Sequence, residues 1–153
     1  MSLFLSTLIN KIDKKGRVSI PSGFRASLTQ GELILFRSPT HQCLEGFDVS
    51  FMNEVSDRLD HFDLFSEEQD SLAMSIFGES VSLTLDETGR VVLPSDLIAF
   101  AELTGVAAFV GMGRKFQVWS PERLEERKKV TRSNVQSQKL AIPKSESSGG
   151  IYG

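Results

Sequence analysis

Two arginines stand out as the residues best placed to do chemistry, because each lies in a copy of the same ten-residue segment. Residues 13–22 read Asp-Lys-Lys-Gly-Arg-Val-Ser-Ile-Pro-Ser, and residues 86–95 read Asp-Glu-Thr-Gly-Arg-Val-Val-Leu-Pro-Ser. An Asp followed three positions later by Gly predicts a tight hairpin turn, since Asp accepts hydrogen bonds from nearby backbone NH groups and Gly adopts left-handed conformations. Arg17 and Arg90 directly follow the glycines, so we expect both guanidinium groups near the hairpin tips.

A guanidinium at an exposed turn is suited to bidentate contact with a phosphate or with the edge of guanine. The first loop adds two lysines that attract phosphate, whereas the second has Glu87 and Thr88 and would be the weaker arm. The structural alternative is a turn in which Asp and Arg merely pair with each other, a contact worth up to about 1 kcal/mol. The candidate DNA-binding residues are Asp13, Lys14, Lys15, Arg17, Asp86 and Arg90.

The two segments belong to a longer internal repeat, in which corresponding residues keep the same separation in sequence as Asp13 and Asp86. Applied without gaps, the same offset aligns further identical residues: Phe4 with Phe77, Ala26 with Ala99, and Phe36 with Phe109. A repeat of this kind indicates equivalent structural units. We therefore predict two equivalent halves, residues 1–47 and 77–120.

Each half is expected to contain an alternating strand, the Asp turn, a returning strand that stops at Pro, a short helix capped by Ser, and a further strand pair. Residues 48–76 have helical periodicity, with a capping box at Ser66 and Gln69, and connect the halves. A C-terminal helix is predicted over residues 121–132, followed by a disordered tail over 133–153. The predicted fold class is α+β and β-rich.

Charge is unevenly distributed along this chain of 153 residues, whose net charge is −3. Residues 1–37 carry a local charge of +4, residues 45–70 carry −8, and residues 114–132 carry +4. Such a distribution permits nucleic-acid binding without requiring it. The single cysteine excludes an intrachain disulfide, and the sequence has neither a leader nor a long apolar run, so we expect a cytoplasmic protein without a membrane span.

An enzyme is the less favoured class. His41 and Cys43 are two residues apart and would share a face of a strand, but no third residue in the sequence is placed to orient such a pair. Two histidines and one cysteine give no spacing typical of a metal site. We therefore expect no catalytic activity, metal, cofactor or small-molecule substrate.

The doubled signature, Ile12 to Ser22 and Leu85 to Ser95, resembles that of the MraZ family. The stretch Gly111-Met-Gly-Arg-Lys-Phe-Gln-Val-Trp119 is similar to that family's C-terminal strand pair, and the likeness covers about residues 4–127. The N-terminal residues lack the glycine and aromatic pattern common in the family. MraZ proteins belong to the AbrB-like swapped-hairpin β-barrel superfamily, so the resemblance implies two tandem AbrB-like halves.

The resemblance also implies a function. MraZ proteins regulate transcription of the division and cell-wall gene cluster in which they stand, bind short DNA repeats upstream of it, and assemble into rings. This implies a sequence-specific DNA-binding regulator, a repressor, whose partners are double-stranded DNA and its own copies. It would be cytoplasmic and nucleoid-associated, with Arg17 and Arg90 contacting DNA and Asp13 and Asp86 orienting them.

An antitoxin-like DNA-binding interaction protein is the alternative, because some antitoxins dimerise on DNA through one swapped-hairpin half. Such proteins usually have a single half and a long acidic tail. This chain has two halves, and its tail carries Lys139 and Lys144 against Glu146. The regulator hypothesis is therefore preferred.

Overall fold

The computed structural model describes residues 3–144, in which eight β-strands and five α-helices follow one another. The chain divides into two compact units, Met1–Pro121 and Glu122–Gly153. The strands are β1 (Thr7–Lys11), β2 (Arg17–Ser19), β3 (Glu32–Arg37), β4 (Leu44–Asp48), β5 (Val81–Thr84), β6 (Arg90–Val92), β7 (Val106–Gly111) and β8 (Phe116–Trp119). The helices are α1 (Ser22–Arg25), α2 (Met52–Leu59), α3 (Glu67–Ile76), α4 (Ser95–Phe100) and α5 (Pro121–Gln138), with a 3-10 turn at Val49–Phe51. The predicted class, a strand-rich α+β chain with two tandem halves, is confirmed.

The two halves exchange their first strands. β1 pairs antiparallel with β7 of the second half, and β5 pairs antiparallel with β3 of the first half. The result is one six-stranded sheet in the order β1-β7-β8-β4-β3-β5, which is open rather than closed into a barrel. β2 and β6 form a separate two-stranded sheet. Because backbone NH and C=O groups of each half are satisfied by the other, the halves depend on each other for their sheet hydrogen bonds.

The strand registers correct the ungapped offset of the repeat. Lys11 of β1 pairs with Val106 of β7. Thr84, which the offset makes the equivalent of Lys11, pairs with Glu32 of β3. Glu32 and Val106, the cross-strand partners of Thr84 and Lys11, are therefore equivalent positions. They are separated in sequence by one residue more than Lys11 and Thr84 are. The second half therefore contains one more residue between the start of its short helix and its third strand, since Ser95 and Val106 are one position further apart than Ser22 and Glu32.

As a consequence, Phe36 and Phe109 are not equivalent, and the predicted correspondence between them is wrong. Leu35 takes the place of Phe109, and each is 1% exposed in the main core. Phe36 belongs to a second cluster with Ile34 and Phe47. The reason is that side chains alternate between the faces of a sheet, so a shift of one residue exchanges the faces.

The main core is formed by residues of both sheets and of α1 and α4. At its centre are four phenylalanines, five pairs of which have ring centroids 5.0 to 6.3 Å apart: Phe4, Phe24, Phe109 and Phe116. Val18 of β2 and Val91 of β6 belong to the same cluster. The two-stranded sheet therefore has one face fixed against the core, which leaves its other face outward.

The helical connector covers the second apolar cluster. Phe51, Met52 and Val55 pack against it, as the helical periodicity of this segment predicts. The backbone NH of Gln69 donates to the Ser66 hydroxyl at 3.2 Å, so the predicted cap at the start of α3 is confirmed.

The predicted caps of the two short helices are wrong. Pro21 and Pro94 occupy the N-cap positions without side-chain cap bonds, and Ser22 and Ser95 begin the helices. The carbonyl oxygen of each proline accepts the first helical hydrogen bonds. At this point the chain must end a strand and begin a helix. Proline suits both, since it has no NH to donate to the strand ladder and its carbonyl oxygen can accept the first helical hydrogen bonds.

The C-terminal helix differs from the prediction in length. α5 continues to Gln138, beyond the predicted end at residue 132, so the start of the predicted tail is helical. Residues 133–138 contain neither Gly nor Pro, and nothing in their composition breaks the helix. Residues 139–144 have no regular structure, and the rest of the predicted tail lies outside the described residues.

Candidate nucleic-acid interface

The small β2–β6 sheet presents one buried and one exposed face. Its three antiparallel residue pairs are Arg17 with Val92, Val18 with Val91, and Ser19 with Arg90. The two central valines are buried, at 1% and 2% exposure. Because side chains alternate along a strand, the four remaining residues share the opposite face. We call this the outward face; it consists of Arg17, Ser19, Arg90 and Val92.

The first hairpin turn is held by the carboxylate of Asp13. Its Oδ1 accepts hydrogen bonds from the backbone NH groups of Lys15 and Arg17, both at 2.9 Å. Its Oδ2 accepts a hydrogen bond from Nε of Arg17 at 2.6 Å. One carboxylate therefore fixes both the loop and the direction in which the arginine leaves it.

The second turn repeats this arrangement with Asp86. Its Oδ1 accepts from the backbone NH groups of Thr88 at 2.8 Å and Arg90 at 3.0 Å, and its Oδ2 accepts from Nε of Arg90 at 3.3 Å. The hydroxyl of Thr88 adds a further hydrogen bond to Oδ1 at 2.8 Å. The two hairpins thus share one hydrogen-bond scheme, in which each aspartate holds its arginine through Nε.

Both arginines retain most of their donors. A guanidinium has five N–H donors, of which the aspartate uses the one on Nε. Within residues 3–144, the terminal amino groups of Arg17 and Arg90 have no hydrogen-bond partner. Each of the two side chains is 40% exposed. Asp and Arg of each turn therefore do pair with each other, as the structural alternative predicts, but this pair leaves four N–H donors on each arginine for another molecule.

Each turn is also joined to the returning strand of the other half. The carbonyl oxygen of Gly16 accepts from the backbone NH of Leu93 at 2.8 Å, and that of Gly89 accepts from the NH of Ile20 at 3.0 Å. Gly16 has a φ of +85°, and a Cβ there would lie 2.8 Å from the Leu93 carbonyl oxygen. The glycine is required both by its backbone conformation and by this close approach.

The electrostatic environment lowers the pKa of both aspartates. The backbone NH of Arg17 is the main cause that lowers the pKa of Asp13. The backbone NH of Arg90, followed by the Thr88 hydroxyl, lowers the pKa of Asp86 to about 2. Both carboxylates are therefore charged at neutral pH, which keeps the turns formed and their arginines oriented.

Charge at the hairpin tips is arranged differently in the two halves. Lys14 and Lys15 are exposed in the first turn, and Glu87 and Thr88 are exposed in the second. At the second turn, however, the structure places Arg25 of α1, whose Nη1 lies 3.4 Å from the carbonyl oxygen of Thr88. The second hairpin therefore has a cation of its own, supplied by the first half.

Sequence reasoning missed Arg25 because the repeat gives no signal for it. Its equivalent is Ile98, whose Cδ1 lies 3.6 Å from the point where a Cβ on Gly16 would be. The Arg25 side chain lies beside Gly89 as Ile98 lies beside Gly16, but closer, so that a Cβ on Gly89 would overlap its guanidinium. The two positions are thus equivalent in space, but one carries a charge and the other an apolar side chain.

The remaining candidates for chemistry, His41 and Cys43, lie in bends before β4 and not on a strand where they would share a face. Cys43 is fully buried, and the ring of His41 lies 6.0 Å from that of Trp119. Among residues 3–144, no group of three or more His, Cys, Asp or Glu side chains is placed to hold a metal ion. None of the helices in that range is both long enough and apolar enough to cross a bilayer.

The exchanged strands and the paired arginine turns define a tandem swapped-hairpin protein of the AbrB-like class. The family model described as "MraZ protein, putative antitoxin-like" matches residues 3–73 and 76–139. The chain is 40% identical over 149 residues to a protein of Gluconacetobacter diazotrophicus, covering 94% of this chain and 93% of that protein. It is 41% identical over 143 residues to one of Gluconobacter oxydans, with 90% and 87% covered. A protein of Rickettsia akari is 34% identical over 145 residues, with 93% and 97% covered.

All three relatives bear the name transcriptional regulator MraZ. The chain belongs to the MraZ family. It is thus a member of a family of transcriptional regulators, which agrees with the class expected from the doubled motif.

Proposed function

We propose that this protein is a sequence-specific DNA-binding transcriptional regulator that contacts double-stranded DNA through the outward face of β2 and β6. The observation that carries the proposal is the presence of two oriented, 40% exposed arginines on one face of a two-stranded sheet. A two-stranded ribbon is narrow enough to enter the major groove, which is about 12 Å wide. Arginine is also the side chain that most often reads guanine there.

The placement of the site residues supports the roles proposed for them. Arg17 and Arg90 lie diagonally across the ribbon, which puts their stems about 7–8 Å apart and directs both toward one stretch of DNA. Asp13 and Asp86 orient them through Nε. Lys14 and Lys15 lie at the first tip and contact phosphates, as Arg25 does at the second.

The identity of the target and the form of the assembly rest on the resemblance to the MraZ family. On this basis the protein represses the division and cell-wall gene cluster by binding repeats upstream of it as a ring-shaped homo-oligomer. The resemblance also supports a cytoplasmic location at the nucleoid. Repeated DNA sites suit such an assembly, because linked binding modules raise the effective concentration for each further contact.

Footprinting the purified protein on DNA upstream of its own gene tests the proposal. We expect protection of short repeats, and light scattering of the same sample should give the mass of a closed oligomer. Protection that follows no sequence, or that vanishes when unrelated competitor DNA is added, would contradict specific binding.

The salt dependence of the affinity tests the contribution of phosphate contacts. We expect affinity to fall steeply between about 50 and 200 mM salt, by roughly 10³ or more if six phosphates are neutralised across the assembly. Fluorescence anisotropy with a labelled duplex measures this slope. An affinity that does not change with salt would mean that Lys14, Lys15 and Arg25 do not contact the DNA phosphates.

An antitoxin-like role remains the second candidate, because the matching family model carries that term in its description. Such a protein would use the same outward face on DNA and would in addition hold a second protein. Co-purification of a stoichiometric second polypeptide that is toxic when expressed alone would favour this role. A homo-oligomer that binds DNA without such a partner favours the regulator.

A further inference from the structure

Val92 is an apolar side chain on an otherwise polar surface. It lies on the outward face, directly across the ribbon from Arg17, and is 55% exposed. Its neighbour Val91, on the opposite face, is 2% exposed and belongs to the core. The exposure of Val92 is therefore a consequence of strand alternation, which places it where the proposed DNA contact is made.

The outward face is not symmetric at this position. Arg17 and Arg90 are equivalent in the internal repeat, and the same offset makes Ser19 the equivalent of Val92. Arg17 thus has a valine as its cross-strand partner, whereas Arg90 has a serine. A hydroxyl can donate or accept a hydrogen bond, while the valine methyls can make apolar contacts alone.

We propose that Val92 is a specificity-determining residue that contacts the C5 methyl group of a thymine in the major groove. This inference rests on the proposed function, since it requires the outward face to lie against base edges. The thymine methyl is the one apolar group that a base pair presents in the major groove. The asymmetric pair of Val92 and Ser19 therefore makes the two halves of the ribbon prefer different base pairs.

The register limits where this thymine lies. Cross-strand partners have Cβ atoms about 4.5–5.5 Å apart, and successive base pairs lie about 3.4 Å apart along the duplex. The thymine contacted by Val92 is accordingly within two base pairs of the one contacted by Arg17. Beside Arg90 the equivalent residue is Ser19, which requires no thymine methyl at the corresponding position.

Deoxyuridine substitution tests this contact, because deoxyuridine pairs as thymine does and lacks the methyl group. Each thymine of the footprinted site is replaced singly, and affinity is measured by fluorescence anisotropy. We expect one position, close to the guanine read by Arg17, to lose about fourfold in affinity, the effect of one buried methyl. Val92→Ser is the matched variant, since serine occupies the equivalent position in the first half.

The variant should bind thymine and deoxyuridine duplexes equally and keep the wild-type dependence on salt. If every deoxyuridine duplex binds the wild type as tightly as the parent, the inference is overturned while the proposed function stands. The inference is also overturned if Val92→Ser loses as much affinity as the wild type when thymine is replaced by deoxyuridine. A change in the oligomer mass of the variant overturns it too, because it would show that Val92 packs between copies of the chain. Absence of any specific binding by the wild type would overturn the proposed function and this inference together.

Discussion

The two hairpins have the same backbone scheme but present different charges. In both, an aspartate accepts from two backbone NH groups and from the Nε of an arginine, and a glycine of positive φ reaches the other half. The first hairpin carries its cations in its own loop, at Lys14 and Lys15. The second obtains one from α1, through Arg25.

The two copies of the repeat thus agree in the geometry of their turns and differ in the charge around them. The turn residues satisfy buried or constrained backbone groups, so each has few acceptable substitutes. A phosphate contact needs a cation within reach, and any neighbouring element can provide it. The second hairpin therefore has more positive charge beside it than its loop sequence, Glu87 and Thr88, indicates.

Removal of both arginines is expected to have the largest effect. The double variant Arg17→Ala with Arg90→Ala should lose specific binding in a gel-shift assay, and each single variant should lose roughly 10- to 100-fold, because a good bidentate base contact is worth about 1–3 kcal/mol. The pairs with aspartate are exposed, so the melting temperature should change little.

Arg58→Ala is the matched control for these variants. Arg58 also pairs with an acid four residues away, Glu54, at 3.0 Å, and lies on α2 outside the outward face. An equal loss of binding in this variant would show that general charge, and not the hairpin site, carries the affinity.

The close approach of the first turn to the other half predicts a large effect on stability. Gly16→Ala should lower the free energy of unfolding by about 1–3 kcal/mol from the positive φ, and by more from the overlap with the Leu93 carbonyl. Gly113→Ala separates the two causes, since Gly113 has a φ of +87° and open space around its Cβ position. Urea denaturation should show a larger loss for Gly16→Ala; equal losses would mean that the contact between halves adds nothing.

Replacement of the cations tests the comparison of the hairpins directly. Arg25→Ala should weaken binding to all sequences and lower the magnitude of the salt slope by about one for each phosphate that the side chain neutralises. Lys15→Ala should have an effect of the same size at the other tip. An unchanged slope in Arg25→Ala, with a changed slope in Lys15→Ala, would leave the second hairpin as the weaker arm that its loop sequence predicts.

The smallest expected effect concerns the titration of the two aspartates. NMR should give a pKa of about 2 for Asp86 and a value below 3.8 for Asp13. Because folding lowers these pKa values, the carboxylates stabilise the turns above about pH 4, and this contribution is lost as the pH falls through the folded-state values. The amide signals of Arg17 and Arg90 should shift with the same midpoints. Midpoints near the ordinary aspartate pKa of about 3.9 for both would show that the hydrogen bonds are not formed in solution.

The sequence predicted the turns, the strands and the candidate site residues on the strength of local rules. Asp and Gly at fixed spacing specify a hairpin whatever the surroundings, and alternation placed the strands that β1 and β5 confirm. The doubled motif also indicated two halves and, through its likeness, the family. The turns and strands could be inferred because the hydrogen bonds and side-chain alternation that determine them act between near neighbours along the chain.

Other features depend on contacts between residues that are distant in sequence, and these became visible in the three-dimensional structure. It showed that Leu35 and not Phe36 matches Phe109, because strand register is chosen by which residues can be buried together. It placed Arg25 beside the second hairpin, 63 residues away in sequence. It also put Val92 on the face that carries Arg17 and Arg90, since the direction of a side chain on a three-residue strand is fixed by the burial of its neighbour.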